Sequence, residues 1–287
     1  MVLFVHLLLL SFSEGMQQAT EPQCEKPRLR VMLIRHSESM NNIYEAISEE
    51  SYRANRSEDP EISERGKAQA KALGDWLATG DGLESLIGPK PINELWTSPF
   101  QRTLMTAEPV SKGLGLPAKV HTKIYEAGGI YKSNYDYTKF EARPGLSRNE
   151  MQRRFPHFEL PDQVQEHGWY VGSGRESDDQ ARARAKVVAA ELVQKAAGLT
   201  EDHTLCMVVH YDFICALLDA LVLPHTVGPF DRWKSWNTGI TVFDLQPPAS
   251  LQEQPYVALL ALNAIPHILA IGSGDLVSGF NIAGLRG

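Results

Sequence analysis

Four places in this chain of 287 residues carry side chains suited to handling a phosphoryl group. The apolar run "LRVMLIR" (29–35) delivers Arg35 and then His36. A second run, "INELWTS" (92–98), leads into "SPFQRT" and so to Arg102. A third, "KVHTKIYE" (119–126), ends on Glu126, and a fourth, "TLCMVVH" (204–210), ends on His210. An uncharged imidazole can attack phosphorus when one ring nitrogen is free and the other is held as a donor. Arginine offers a planar fork for phosphate oxygens and keeps its charge. A second histidine can donate to the group in transfer. A carboxyl group can protonate the leaving oxygen and later deprotonate water. Singly, each has a plainer reading: Arg102 in a surface ion pair, Glu126 as a solvated acid, His210 as a core histidine. Their shared place at the ends of successive apolar runs is what unites them.

The elements that must position these residues follow from pattern. Two further runs, "GITVFDL" (239–245) and "YVALLALN" (256–263), complete a set of six strand candidates. Several are continuously apolar, as strands covered on both faces should be. Between them lie helical patterns. One is capped at Ser63 and stops before Gly80. Another has Ser98 at a cap position and Pro99 at the first helical position. "SDDQARARAKVVAAELVQKAAG" has acids at its start and Lys195 in its last turn, and "YDFICALLDALVLP" follows His210. The alternation predicts an α/β fold, a three-layer αβα sandwich around a mostly parallel sheet. The last two runs lack an intervening helix and are expected as an antiparallel edge pair. In such sheets ligands bind beyond the carboxyl ends of the strands, where the four places fall. Residues 127–177 show no long period and read as an insertion lying over the sheet.

Composition narrows the function. With 43% hydrophobic and 22% charged residues the chain is an ordinary globular protein. A net charge of −7 disfavours a nucleic-acid partner but allows a small anionic substrate. Cys24, Cys206 and Cys215 are odd in number and lack a Cys-x-x-Cys spacing, so neither disulfide framework nor zinc knuckle is expected. The nine histidines show no His-x-x-x-His pairing; no metal and no cofactor are expected. Residues 1–27 read as an extension preceding a folded region over 28–287. "MVLFVHLLLLSF" has the length of a signal but no basic residue before it, and Met16 follows soon after. A cytoplasmic protein is expected, with the secretory pathway as the alternative. No later run is long and apolar enough to span a membrane. Oligomeric state has no signature in the sequence.

"LIRHSES" is similar to the Arg-His-Gly-Glu signature of the histidine phosphatase superfamily, also called phosphoglycerate mutase-like. "SPFQRTLMTAEPV" resembles that family's Ser-Pro-x-x-Arg-x-x-x-Thr-Ala segment, and "YEAGGIY", "MVVHYDFICALLDAL" and "WNTGITVFDL" extend the likeness over roughly residues 28–265. The resemblance implies a phosphoglycerate mutase-like fold. It implies His36 as the phosphorylated nucleophile and Glu126 as the proton donor. Arg35, Arg102 and His210 would form the phosphate pocket, with Asn42 as a further contact. Two positions depart from it: Ser37 and Tyr211 stand where glycine is usual, which bears on pocket size and activity. The Gly-, Trp- and acid-rich segment of the mutases is absent, and "SEDPEISERGKAQA" resembles the phosphatase branch instead. The expected activity is therefore hydrolysis of a small phosphomonoester through a phosphohistidine. Mutase-type transfer and a non-catalytic module that binds phosphorylated ligands are the alternatives.

Within the insertion, Lys132, Lys139, Arg143, Arg148, Arg153 and Arg154 stand against Asp136, Glu141 and Glu150, interleaved with Tyr131, Tyr135, Tyr137 and Phe140. Two readings stay open. This stretch is a lid for a second anionic group or a sugar face, or its charges pair locally.

Overall fold

A computed structural model describes residues 27–80, 83–88, 91–225, 229–248 and 253–279. The expected extension therefore lies almost wholly outside the described residues. β1 (Leu29–Arg35) is followed by α1 (Met40–Ile47), α2 (Glu49–Asn55), α3 (Glu64–Thr79) and α4 (Leu83–Ile87). Then come β2 (Glu94–Thr97), α5 (Gln101–Leu114) and β3 (Ala118–Val120). The insertion holds β4 (Tyr131–Ser133), β5 (Phe140–Ala142) and α6 (Arg148–Arg154). The order continues through α7 (Asp178–Ala197), β6 (His203–Val209), α8 (Tyr211–Val222), β7 (Ile240–Gln246), β8 (Tyr256–Ala264) and α9 (Pro266–Ala270).

The central sheet has the order β3-β2-β6-β1-β7-β8. β3, β2, β6 and β1 are mutually parallel, β7 runs antiparallel to β1, and β8 antiparallel to β7. The continuous apolar runs are explained by two buried faces. Met32 and Ile34 of β1, with Leu95, Cys206 and Val208, pack against Leu73, Leu77, Leu104 and Val110 of α3 and α5. Val31 and Leu33, with Leu205, Met207 and Val209, pack against Val188, Leu192, Phe213 and Leu217 of α7 and α8. α3 and α5 approach so closely that a Cβ on Gly74 would strike the backbone of Pro109. Among the described residues, no helix is long and apolar enough to cross a membrane.

Three expectations need correction. β3 ends at Val120 rather than Glu126, because only Leu95–Thr97 of β2 is available to pair with it. Glu126 is thus carried by a loop. α5 starts at Gln101, and its N-cap position is Phe100 rather than Ser98; Ser98 is engaged elsewhere. The insertion is not devoid of regular structure: β4 and β5 form a hairpin, and α6 opens on a capping box between Ser147 and Glu150.

Candidate active site

The parallel strands β1, β2 and β6 end side by side, and the turns after them converge on one cavity of about 280 Å³. Arg35, His36, Asn42, Arg102 and Glu126 all line it. β1 delivers Arg35 and His36 because its register between β6 and β7 holds the strand to its last residue. Arg35 sends one terminal nitrogen to the carbonyls of Ser235 (2.6 Å) and Gly279 (2.9 Å). Arg102 enters from the first turn of α5, its guanidinium 4.3 Å above the Phe100 ring. Both guanidiniums are buried, which lowers their proton affinity, while Glu126 opposes that shift.

His36 is 3% exposed, and its Nδ1 lies 2.7 Å from the Ser37 carbonyl. A carbonyl only accepts, so Nδ1 carries the proton and Nε2 keeps its lone pair. Burial first, then the charges of Arg102 and Arg35, hold the imidazole well below its ordinary pKa. It is neutral at physiological pH, the state a nucleophile needs. Ser37 fits without displacing it. Thr106 donates its hydroxyl to the Arg102 carbonyl (2.6 Å), so the Ser37 hydroxyl is the donor in the 3.0 Å contact between Ser37 and Thr106. The serine that replaces the expected glycine therefore ties the loop of His36 to the turn carrying Arg102.

Asn42 closes the cap of α1. Its Oδ1 accepts from the backbone N–H (3.1 Å) and hydroxyl (3.0 Å) of Ser39, which leaves its amide NH2 available to the cavity. Glu126 reaches the site although its strand is short, because Oε1 accepts the N–H groups of Ala127 (3.0 Å) and Phe213 (3.1 Å). The second of these is an orphan donor in the first turn of α8. Burial raises the Glu126 pKa, against the pull of Arg102, Arg35 and the two backbone donors. His210 is fully buried at the N-cap position of α8, its ring centroid 5.3 Å from that of His36. It stands behind His36 and is not part of the cavity lining. Its Nε2 bonds the Ser98 hydroxyl at 2.7 Å, and its Nδ1 is buried with no partner among the described residues.

Tyr211 lines the cavity, and its ring lies 5.2 Å from the Arg35 guanidinium. The side chain in place of the second glycine thus narrows the cavity and steadies an arginine. Beside it, Asp212 also faces the cavity. Asp212, Ser98, Arg56 and Arg175 belong to the site or its support and were not foreseen. Only Ser98 carried a sequence signal, and it was read as a helix cap. The six basic residues of the insertion do not line the cavity. Arg143 lies 2.8 Å from Glu141 and 3.7 Å from Glu58, Arg154 lies 2.8 Å from Glu61, and Arg148 binds backbone carbonyls. Arg143 and Arg154 thus pair with carboxylates, as the second reading has it, while Arg148 is held by backbone alone.

The sequence profile of the histidine phosphatase superfamily, branch 1, matches residues 31–251. No curated protein matches the chain by sequence. Among solved structures, a mycobacterial glucosyl-3-phosphoglycerate phosphatase is similar at 21% identity and a TM-score of 0.51, over 82% of this chain and 99% of that one. A protein described as mycobacterial hydrolase 1 is similar at 23% identity and a TM-score of 0.52, over 82% of this chain and 98% of that one. At these identities the likeness is one of fold: helices on both sides of a mainly parallel six-stranded sheet. The extent of the profile match settles membership. The chain belongs to the histidine phosphatase superfamily, branch 1.

Proposed function

We propose that the protein is a phosphomonoester hydrolase that works through a phosphohistidine at His36 on a small phosphorylated metabolite. One observation carries this reading. His36 is held as the Nδ1–H tautomer by the Ser37 carbonyl, in a cavity lined by two guanidiniums and a proton-retaining carboxyl. Arg35, Arg102 and the Asn42 amide bind the phosphoryl oxygens, and the orphan Nδ1 of His210 adds a donor from behind. Nε2 of His36 forms the bond to phosphorus as the ester P–O bond breaks. Glu126 gives its proton to the departing oxygen. The resulting carboxylate then takes a proton from water, whose oxygen attacks the phosphohistidine and frees inorganic phosphate and Nε2. The charge needed to stabilise the phosphoryl group comes from side chains, so the scheme uses no metal. Small size follows from the cavity, which lies at the lower end of the range for ligand sites.

Turnover of an aryl phosphate, with rapid-quench trapping of labelled phosphate on the protein, tests the scheme. Label on His36 and loss of turnover in His36→Ala are expected. Equal activity in wild type and His36→Ala would overturn it, and conversion of 3- to 2-phosphoglycerate with a bisphosphate primer would point to the mutase reading.

A further inference from the structure

Two guanidiniums at the mouth of the cavity are left unused by the phosphoryl scheme. Arg56 follows α2, and Arg175 lies in the last loop of the insertion; both line the cavity. Arg56 lies 4.1 Å above the Tyr131 ring, donating to the Tyr131 carbonyl (2.9 Å) and the Tyr52 hydroxyl (3.2 Å). Arg175 lies 5.9 Å from the same ring and 5.8 Å from that of Phe140. Neither is ion-paired to a carboxylate among the described residues, although four carboxyl groups line the cavity. Glu58 lies 3.7 Å from Arg143, and Glu126 accepts the N–H groups of Ala127 and Phe213. Arg56 and Arg102 repel each other across the cavity, a smaller influence on Arg102 than the attraction of Glu126 and Asp59. An anion between like charges removes that repulsion. Guanidiniums resting on aromatic faces are weakly hydrated, and their forks suit carboxylate and phosphate.

We propose that Arg56 and Arg175, bracketing Tyr131, form a second anion subsite, so that the substrate is a phosphomonoester carrying a carboxylate or second phosphate a few bonds from the ester. This rests on reading the His36 end of the cavity as the phosphoryl site. It also moves recognition of a second anion away from the six basic residues singled out in the insertion, none of which lines the cavity.

Binding and turnover separate the two readings. Calorimetry on His36→Ala compares glycerol 3-phosphate, which has no second anion, with 3-phosphoglycerate and with propane-1,3-diol bisphosphate. A guanidinium-to-anion contact leads us to expect at least about ten-fold tighter binding of one or both ligands that carry a second anionic group. Which of them gains tells whether carboxylate or phosphate is the preferred second group. Arg175→Ala and Arg56→Gln, each added to His36→Ala, should remove most of that gap and leave glycerol 3-phosphate within about two-fold. Arg175 is exposed, so its substitution leaves folding intact. The proposal is overturned if the gap is absent, or if all three ligands weaken equally in the arginine variants. Failure of the catalytic reading shows separately, as aryl phosphate turnover that does not depend on His36.

Discussion

Glu126 and Asp212 are two carboxyl groups on one cavity, and both hold protons more tightly than free carboxylates do. For each the first cause is burial, and for Asp212 the second is Glu126 itself. A raised pKa on a proton donor places its working range below that pKa, so kcat should fall as pH rises through it. The charge of Glu126 is what raises Asp212, so Asp212 keeps its proton while Glu126 ionises. The alkaline limb of the kcat profile should therefore stay in place in Asp212→Asn. A limb that moves to lower pH would show that Asp212 is charged beside the donor. Glu126→Gln should lower kcat on an alkyl phosphate by roughly 100- to 10,000-fold, and by less on an aryl phosphate whose leaving group needs no proton. At this scale the sequence was informative about charge and uninformative about packing. Arg35 and His36 stand out because their types are costly at the exit of a buried strand without a task, and Arg102 and Glu126 because they follow apolar runs of the same kind. Tyr211 and Ser37 gave no sign of how they fit, since that depends on Arg35 lying over one and Thr106 accepting from the other.

Elements were legible where their signals were local. α3 and α7 begin at Ser63 and Ser177, whose side chains cap them, and stop beside Gly80 and Gly198, as pattern and caps dictated. β3 was overextended because strand length is set by the partner, and β2 offers only three residues to it. α6 carried a readable Ser-x-x-Glu signal that the surrounding Gly, Pro and aromatic residues masked. α1 shows how an element serves the site: Asn42 both completes its capping box and faces the cavity. Asn42→Ala should lose both functions, costing about 1 kcal/mol in stability and weakening phosphate binding. Asn42→Asp keeps the Oδ1 acceptor but turns an anion toward an anion. It should melt within about 0.5 kcal/mol of wild type and still bind phosphate poorly. Thermal denaturation beside a phosphate titration separates the two roles.

At the scale of the whole molecule, one carboxylate gathers several partners at the end of the sheet opposite the cavity. Glu94 of β2 binds Lys119 of β3 (3.0 Å), Lys195 of α7 (2.6 Å) and the Trp96 indole (2.9 Å), with His203 of β6 at 3.4 Å. These partners outweigh burial and lower its pKa to about 2. The folded value lies below the unfolded one, so the contribution is complete above the ordinary carboxylate range and fades as pH falls toward the folded value. Glu94→Gln should cost on the order of 2 kcal/mol at pH 7 and much less near pH 3, read from urea unfolding. The strand order has a different consequence, in time. β1 leads directly into His36 and pairs along its length with β6 and β7, and Arg35 is finally held by the carbonyl of Gly279. During synthesis β1 must therefore wait, apolar on both faces, until residues beyond 203 have left the ribosome. A nascent chain cannot be a premature catalyst, and the same long-range pairing makes unaided refolding slow. β1 is made well before β6 and β7 yet comes to rest only with them, and the cavity is completed later still, when the Gly279 carbonyl reaches Arg35.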